Sequence, residues 1–528
     1  MFRILISDKL GAEGLARLDE ATDATYDVKT SLSKEQLLTI IPDYDALIVR
    51  SSTKVDAALL AAGKNLKVVG RAGMGVDNID VRAATMRGIM VMNTPQANSI
   101  ATAEQTMALM LAVCRYTAQA HASLAAGEWQ RTAFVGIQLY RKKLGVIGFG
   151  RIGRLVAKRA QSFGMDVLAY DPFVSEEVAR ELGVTLMDMD DLLANSDFVT
   201  LHTSLSPETE HLINAQTISQ MKNGAILINA ARGKLIDEQA LAAALKSGKV
   251  KAAGLDVFTE EPPAGSPLIG LPNVVHTPHL GASTVEAQRD VATLIVDQVL
   301  DALRGRDFRN AVNMPFQAGP DFAATRPFME LAEKLGVLQC IMAPAPIRRI
   351  ELELRGDNAE WLVRPVAAAL LKGLLENVLS DQVNYINAPV LAEENGLSIS
   401  QTKGMNLVAD YPHLIACRVY WNEGSRLLAG VLFGGSHPRI VQVDDYHLDA
   451  NPDGVVLIMQ NRDVPGVIGQ VGTILAAYDI NIGEWRMGRE KPGGQALSFI
   501  NLDAEPSPPV LHALERISAV TQVKLAKL

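Results

Sequence analysis

The sequence is poor in cysteine, with only Cys114, Cys340 and Cys417 among 528 residues. Their wide separation supplies neither the pairs of a disulfide framework nor the short spacing of a zinc site. Thiols of this kind are typical of buried side chains in a reducing compartment. We therefore expect no disulfides and no bound metal.

A basic stretch and a long apolar stretch are also missing. The net charge is −9, and no run of Lys and Arg supplies the positive stripe that a nucleic-acid surface requires. No apolar run approaches membrane-spanning length, and residues 1–7 are typical of a strand rather than a signal segment. The sequence predicts a cytoplasmic protein that binds neither nucleic acid nor membrane, although local basic clusters can still hold small anions.

What is present is length and a regular alternation of patterns. With 48% apolar and 21% charged residues, the chain is long enough for three or four domains, each with its own core. Short Val/Ile-rich runs alternate with amphipathic stretches in residues 1–93 and again in 144–255, which predicts two doubly wound parallel sheets. Between them we expect a long helix over 98–126 that is capped by Ser99 or Thr102. A helix over 285–303 is expected to pack back on the first unit.

The rest of the chain predicts two α+β units. Residues 313–450 combine an Ala/Leu-rich helix near 361–379 with strand-like runs at 350–354 and 427–432. A turn signal at 451–454 separates them from a last unit, whose pattern is strand, helix, strand, strand, helix, strand. The predicted domains are 1–97 with 285–312, 98–284, 313–450 and 451–528.

A glycine-rich turn marks the second sheet as a dinucleotide site. Gly148, Gly150 and Gly153 follow an apolar strand and open a helix, so the backbone can approach a pyrophosphate whose charge the helix N-terminus holds. Asp171 ends the next strand, where a carboxylate can bind a ribose diol. The same carboxylate would repel a 2′-phosphate, which favours NAD over NADP. Either feature alone also has a purely structural explanation.

Three reactive side chains follow successive strands of the second sheet: Arg232, Glu261 and His279. The carboxyl ends of parallel strands are where such sheets bind ligands. His279 can exchange the hydroxyl proton of a 2-hydroxy acid, and Glu261 can orient the imidazole and favour its protonated form. Arg232 offers a planar fork to the substrate carboxylate and a cation beside the developing alkoxide. Together they predict an NAD-dependent dehydrogenase.

Taken singly, these residues have ordinary explanations. They are equally typical of a loop histidine, a solvated acid before prolines and a surface ion-pair partner. Asp256, at the end of a strand, either contacts the nicotinamide or caps a turn. The prediction therefore depends on the three groups together.

Up to about residue 312 the chain resembles the D-isomer-specific 2-hydroxyacid dehydrogenase family. Besides the catalytic segments, the resemblance rests on residues 70–80, GRAGMGVDNID, and on Asn93-Thr94-Pro95. It implies a discontinuous substrate-binding domain, a Rossmann domain that binds NAD, and an active site in the cleft between them. The cofactor contacts that it implies are Gly148, Gly150, Arg151, Ile152, Gly153, Asp171, Thr203, Ala230, Arg232, Asp256, His279 and Gly281.

The tail resembles that of the long-form D-3-phosphoglycerate dehydrogenases. Residues 313–450 are similar to their intervening domain, including the segment Tyr385-Ile386-Asn387-Ala388-Pro389, and residues 451–528 resemble an ACT domain, a regulatory module. The resemblance implies oxidation of 3-phosphoglycerate to 3-phosphohydroxypyruvate, the first step of serine synthesis, by a homotetramer that L-serine inhibits. The serine contacts that it implies are Asn461, Asp463 and Asn481.

A phosphorylated substrate needs cations in the amino-terminal half of the chain. Arg50 and Arg71 are suitably placed, and Arg131 is expected to reach in from a neighbouring subunit. Each arginine also has an ordinary explanation as a solvated or ion-paired side chain. The predicted substrate contacts are Arg50, Ser51, Arg71, Gly73, Asn98 and Arg131.

Two other functions stay open at this point. One is a dehydrogenase for an unphosphorylated acid, such as a glyoxylate or hydroxypyruvate reductase. The other is an NAD-sensing binding protein on the same fold, because fold alone does not establish function. The compact ACT-like tail argues against the second.

Overall fold

The computed structural model describes residues 1–316, 322–356, 359–379, 382–405, 407 and 411–528. Their strands form four sheets, of five, seven, six and four strands. The gaps all fall within the predicted domain 313–450. Any prediction for the residues in these gaps lies outside the described residues. Within the described ranges, no helix is long and apolar enough to cross a bilayer.

The first sheet has the order β2-β1-β3-β4-β5, and every neighbouring pair is parallel. Apart from the edge strand β2, its strands are short and largely apolar because both faces of a parallel sheet are covered. One cover is the helix Val285–Leu303, whose Ile295 and Val299 are fully buried against Ile4 and Ile6. The elements of this unit are β1 (Phe2–Ile6), α1 (Ala12–Asp19), β2 (Ala24–Val28), α2 (Lys34–Ile40), β3 (Ala46–Val49), α3 (Ala57–Ala62), β4 (Val68–Arg71), α4 (Val81–Met86) and β5 (Met90–Met92).

The second sheet is also wholly parallel, in the order β12-β11-β10-β9-β6-β7-β8. The two doubly wound sheets predicted from the sequence are therefore confirmed, and so is the helix that returns to the first unit. The elements are α5 (Ser99–Arg115), α6 (Thr117–Ala125), β6 (Lys143–Ile147), α7 (Arg151–Ser162), β7 (Asp166–Tyr170), α8 (Glu176–Glu181), β8 (Thr185–Leu186), α9 (Met189–Asn195), β9 (Phe198–Leu201), α10 (Ala215–Gln220), β10 (Ala225–Asn229), α11 (Glu238–Ser247), β11 (Val250–Leu255), β12 (Val274–His276) and α12 (Val285–Leu303).

The helix predicted over 98–126 is wrong in two details. It is divided at Tyr116, whose left-handed φ of 51° ends α5 and starts α6. Neither predicted cap acts as one. The hydroxyl of Ser99 donates to the carbonyl of Pro95, and that of Thr102 donates to the carbonyl of Asn98. Both hydroxyls thus bond backward to carbonyls, whereas an N-cap accepts from the free N–H groups of the first turn.

The last two sheets share a core. The six-stranded sheet has the order β14-β13-β15-β16-β17-β18, and the four-stranded sheet has the order β20-β21-β19-β22. Ile458 and Phe499 of the four-stranded sheet are buried in one cluster with Leu335 of a helix that the sequence pattern did not predict, Phe322–Met342. The elements are α13 (Phe322–Met342), β13 (Arg349–Arg355), α14 (Ala359–Leu375), α15 (Ala388–Glu394), β14 (Ser398–Gln401), β15 (Leu414–Trp421), β16 (Gly424–Phe433), β17 (His437–Val443), β18 (Tyr446–Ala450), β19 (Val455–Arg462), α16 (Val467–Ala477), β20 (Ile482–Arg489), β21 (Gln495–Leu502), α17 (Pro508–Glu515) and β22 (Val520–Lys527).

The segment before α15 docks on the first sheet. The side-chain amide of Asn384 donates to the carbonyl of Gly88 over 2.7 Å, and Ile386 is buried in the core of the first sheet. Tyr385 turns the other way, donating to Glu333 of α13 over 2.7 Å. The third unit is thus tied to the first between α4 and β5.

Candidate active site

A cavity of about 720 Å³ lies between the carboxyl ends of the first two sheets. Its walls are the loops that follow β1, β3 and β4 on one side and those that follow β6, β9, β10, β11 and β12 on the other. Most of the predicted site residues meet here: Arg50, Ser51, Arg71, Gly73, Asn98, Gly150, Arg151, Ile152, Thr203, Ala230, Arg232, Glu261, His279 and Gly281.

His279 and Glu261 form a hydrogen-bonded pair in this cavity. Nδ1 of His279 lies 2.7 Å from a carboxylate oxygen of Glu261, and the two side chains are 44% and 39% exposed. Burial acts to raise the pKa of Glu261, but the hydrogen bond and charge of His279 and the N–H of Phe258 outweigh it, so this pKa lies below its ordinary value. Glu261 is therefore a carboxylate at neutral pH, and it leaves Nε2 as the ring nitrogen of His279 available to a substrate.

The loop that carries His279 is held by Asp256. His279 has a left-handed φ of 54°, which costs free energy in a residue other than glycine. The N–H of His279 donates to the carbonyl of Asp256 over 2.9 Å, and the N–H groups of Leu280 and Gly281 donate to its carboxylate, each over 2.8 Å. The hydroxyl of Thr277 donates to the same carboxylate over 2.5 Å. Asp256 is fully buried and does not line the cavity, so in the structure its carboxylate holds this loop, and its contact with the nicotinamide stays a prediction.

Arg232 extends from the loop after β10 toward the first sheet. Its Nε donates to Asp77 over 2.8 Å, and its Nη1 donates to the carbonyl of Ala231 over 2.7 Å. The side chain passes directly over Gly75, where any β-carbon would collide with Nη2 of Arg232. At Gly73, likewise, a β-carbon would collide with Nη1 of Arg71. Residues 73–75 are thus a glycine platform that carries two guanidinium groups.

The first-sheet side of the cavity carries three cations, Lys9, Arg50 and Arg71, against the two carboxylates of Asp8 and Asp77. Burial, reinforced by the charge of Arg232, lowers the pKa of Arg71 to about 10, and Asp77 partly offsets this. Nε of Arg71 is buried without a hydrogen-bond partner. Arg50 lies in the same wall, and its backbone is fixed by Asp8, which accepts its N–H over 2.6 Å. Clustered cations that lack carboxylate partners are expected to bind an anionic ligand.

The glycine-rich loop between β6 and α7 fits a dinucleotide. Gly148 has a φ of 92°, and its missing β-carbon would lie 2.6 Å from the carbonyl carbon of His202. A β-carbon at Gly153 would collide with the carbonyl oxygen of Gly148. Gly150, in contrast, faces the cavity with no protein atom within 4 Å of its would-be β-carbon. Two glycines therefore serve close packing, and the third keeps the start of α7 accessible to a pyrophosphate.

Asp171 lies beside this loop, one residue after β7. Its carboxylate accepts the N–H of Phe149 over 2.8 Å and that of Phe173 over 2.9 Å. These bonds fix the carboxylate beside the glycine-rich loop, and its contact with a ribose stays a prediction.

The remaining predicted residues lie elsewhere. Arg131 is in an exposed 3₁₀ turn, Arg131–Ala133, and does not line the cavity of its own chain. Asn461 is buried inside β19 rather than in the loop where the sequence pattern placed it. Asp463 accepts from Arg489 over 3.1 Å, and Asn481, one residue before β20, donates to Asp503 over 2.7 Å.

Four ionisable cavity residues were not singled out from the sequence: Asp8, Lys9, Asp77 and His202. Asp77 had a signal, because it belongs to the same glycine-rich segment as Arg71. His202 follows β9, and burial lowers its pKa to about 3, so it is neutral at physiological pH. Lys9 follows Asp8 after β1, and no periodic pattern distinguishes it from a solvated lysine.

Three family models match the chain. Residues 107–281 match the D-isomer specific 2-hydroxyacid dehydrogenase, NAD binding domain; residues 324–444 match the D-3-phosphoglycerate dehydrogenase intervening domain; and residues 455–519 match the ACT domain. The order agrees with the sequence resemblance.

Similar full-length proteins decide the family. Over 529 residues, and over the whole length of both chains, the sequence is 43% identical to a D-3-phosphoglycerate dehydrogenase of Archaeoglobus fulgidus. It is 39% identical over 528 residues to one of Bacillus subtilis, again over the whole of both. The chain belongs to the D-3-phosphoglycerate dehydrogenase family. It is accordingly an NAD-dependent oxidoreductase, which sets aside the reading as an NAD-sensing binding protein.

Solved structures support the fold of the dehydrogenase part. A glyoxylate reductase from Paecilomyes thermophila is 33% identical with a TM-score of 0.55, covering 59% of this chain and 97% of that one. A D-lactate dehydrogenase from Aquifex aeolicus, solved with NAD and lactic acid, is 30% identical with a TM-score of 0.52, covering 58% and 96%. The two parallel sheets of this dehydrogenase are therefore a Rossmann-like pair.

Proposed function

We propose that this dehydrogenase oxidises 3-phosphoglycerate to 3-phosphohydroxypyruvate. The observation that carries the proposal is the combination, in one cavity, of the His279–Glu261 pair with Arg232 and a further cationic wall at Arg50 and Arg71. A 2-hydroxy acid with a phosphate in addition to its carboxylate supplies anions to both groups of cations. An unphosphorylated acid would leave the partly buried Arg71, whose Nε has no hydrogen-bond partner, without a counter-charge from the ligand, which is costly.

The roles follow from the donors that remain free. His279 takes the hydroxyl proton at Nε2, and the carboxylate of Glu261 stabilises the resulting imidazolium from Nδ1. Gly148, Gly150 and Gly153 would hold NAD along the glycine-rich loop, and the cofactor would supply the acceptor for the hydride that leaves the substrate carbon. Arg232 has two N–H groups occupied by Asp77 and Ala231, so three remain for the substrate carboxylate and the oxygen that becomes the carbonyl.

The substrate phosphate tests this assignment. We expect kcat/KM for 3-phosphoglycerate to exceed that for D-glycerate by about 10²- to 10⁴-fold, because two charge-assisted contacts are lost with the phosphate. Arg50→Ala should lower the rate with 3-phosphoglycerate about 10- to 100-fold and leave the rate with D-glycerate nearly unchanged. Steady-state kinetics with both acids measure this. A ratio near one would favour the alternative of an unphosphorylated substrate.

We also propose that L-serine inhibits the enzyme through the ACT unit. Asn461 supports this, because its side chain is 3% exposed and its Oδ1 is buried without a donor, while its Nδ2 is bonded to the carbonyl of Arg462. A spare acceptor at the end of β19 can receive the ammonium of an amino acid. Asp463 and Asn481 already have partners, so they would exchange these bonds on binding.

The expected result for Asn461→Ala is a loss of serine inhibition, with the concentration for half-inhibition raised about 10-fold or more. Thr521→Ala, on the exposed part of β22 in the same unit, is the matched control and should be inhibited normally. Both variants are made in the full chain, because truncation after residue 312 would remove Ile386 from the first core. Assays of inhibition by serine on the wild type and both variants test this. If serine inhibited all three proteins equally, Asn461 would not be part of the serine site.

We propose a homotetramer in which residues 124–140 form one contact between copies. Four apolar side chains in this segment are largely exposed: Leu124, Trp129, Val135 and Tyr140, at 59%, 81%, 77% and 57%. Exposed apolar clusters of this kind mark protein interfaces, and Arg131 within the segment would then face a second copy. Sedimentation equilibrium should show a mass of four chains, which Trp129→Ala reduces; a monomeric wild type would contradict the proposal.

The cytoplasm is the location that we propose. The three cysteines are free, and burial raises the pKa of Cys114 to about 11 and that of Cys417 to about 12. Neutral buried thiols without disulfides fit a reducing compartment. Fractionation of the producing cells checks this, and recovery in a secreted fraction would contradict it. The domain boundaries stay predictions as well, which limited proteolysis can test.

A further inference from the structure

The ion pair between Arg232 and Asp77 crosses the cleft. Arg232 follows β10 of the second sheet, and Asp77 lies in the loop between β4 and α4 of the first, 155 positions away in sequence. The Nε–Oδ2 distance is 2.8 Å, while the side chain of Asp77 is 51% exposed and that of Arg232 is 26% exposed. A pair this exposed contributes little to stability, so its importance must come from the geometry that it imposes.

That geometry fixes which edge of Arg232 faces the ligand. Nε of Arg232 donates to Asp77, and one hydrogen of Nη1 donates to the carbonyl of Ala231. The glycine platform (residues 73–75) lies beneath Nη2. A guanidinium held at Nε and one Nη1 hydrogen has a single orientation, and its three remaining hydrogens, one on Nη1 and two on Nη2, have no partner among the bonds described. Without Asp77 the long side chain would be free to adopt other rotamers.

Asp77 also offsets repulsion within the cationic wall. Burial and then the charges of Arg232 and Arg50 lower the pKa of Arg71, and Asp77 is the first counter-charge that acts in the opposite direction. Two guanidinium groups that lie over Gly73 and Gly75 would repel each other more strongly if this acid were removed. Asp77 thus interacts with two of the arginines that are assigned to the substrate, Arg71 by its charge and Arg232 by a hydrogen bond.

We propose that Asp77 is a positioning residue that holds Arg232 in its substrate-binding orientation across the cleft. The inference rests on the proposed oxidation of a 2-hydroxy acid at this site. Asp77→Ala should lower kcat/KM for the acid about 10- to 100-fold by raising its KM and lowering kcat, with the dissociation constant of NAD unchanged. Asp77→Asn keeps an acceptor oxygen for Nε and should recover part of the loss.

A double-mutant cycle tests the proposal. If Asp77 acts through Arg232, then Asp77→Ala in an Arg232→Ala background should cost less than about 3-fold more, because the group that it positions is already gone. Asp80→Ala is the matched control: Asp80 caps α4 in the same segment, does not line the cavity, and should affect thermal stability but not the kinetics.

The outcomes separate the two levels of inference. Full activity of Arg232→Ala would overturn the proposed function of the site. An inactive Arg232→Ala with fully active Asp77→Ala and Asp77→Asn would overturn the role of Asp77 alone. Independent, multiplicative losses in the double variant, or an equal rise in the dissociation constant of NAD, would show a structural role and overturn the proposal as well. Because Asp77→Asn is isosteric and half exposed, it keeps the test available even if the alanine variant folds poorly.

Discussion

His279→Asn is expected to lower kcat for 3-phosphoglycerate oxidation by about 10³- to 10⁴-fold while leaving the dissociation constant of NAD unchanged. The variant removes the proton acceptor at Nε2 but suits the backbone, because asparagine tolerates the left-handed φ of 54° better than alanine does. His279→Ala should be as inactive and also less stable. Stopped-flow measurement of NADH formation, with a binding titration for NAD, provides both quantities.

His276 supplies the matched control for this experiment. It is exposed at the end of β12, only three residues before His279, and it does not line the cavity. His276→Asn should therefore turn over at the wild-type rate. If His279→Asn kept more than about a tenth of the wild-type kcat, the assignment of His279 as the base would be wrong.

Gly150→Ala is expected to weaken NAD binding by about 10- to 100-fold at an unchanged melting temperature. Its new methyl group meets no protein atom within 4 Å, yet it projects into the cavity at the N-cap of α7, where a phosphate must approach the free N–H groups. Isothermal titration measures the affinity, and calorimetry measures the melting temperature.

Gly153→Ala is the informative partner of that variant. Its methyl group would collide with the carbonyl oxygen of Gly148, so the strand-to-helix turn must shift and both NAD affinity and thermal stability should fall. If Gly150→Ala bound NAD as tightly as the wild type, the pyrophosphate would not lie at this helix terminus.

The parallel sheets and the dinucleotide turn could be predicted because local pattern determines them. Most strands of the first two sheets are short apolar runs, and the turn at Gly148 follows one of these runs directly. The strands β2, β8 and β12 escaped prediction. The first is largely polar, the second has two residues, and His276 at the exposed end of the third interrupts its short apolar run.

The cross-cleft relations could not be predicted, because they join distant parts of the chain. Nothing in the sequence near Arg232 indicates that Asp77 will accept from its Nε, or that Gly75 is small so that this side chain can lie over it. Asp256 illustrates the converse case. Its position at a strand end fits both a turn cap and a nicotinamide contact, and only the folded chain shows that Thr277, Leu280 and Gly281 donate to its carboxylate and so hold the His279 loop.

The hydrogen bond from Asn384 to Gly88 connects the third unit to the active site through β5. Gly88 lies just before this three-residue strand. Asn93 and Thr94 just after it bond to the glycine platform, through the carbonyl of Met74 over 2.5 Å and that of Gly73 over 2.9 Å. Only this strand and the residues at its two ends separate Asn384 from the glycine platform. A displacement of the third unit at Asn384 would therefore reach the residues beneath Arg71 and Arg232 along a short path, so the third unit belongs to the surroundings of the active site.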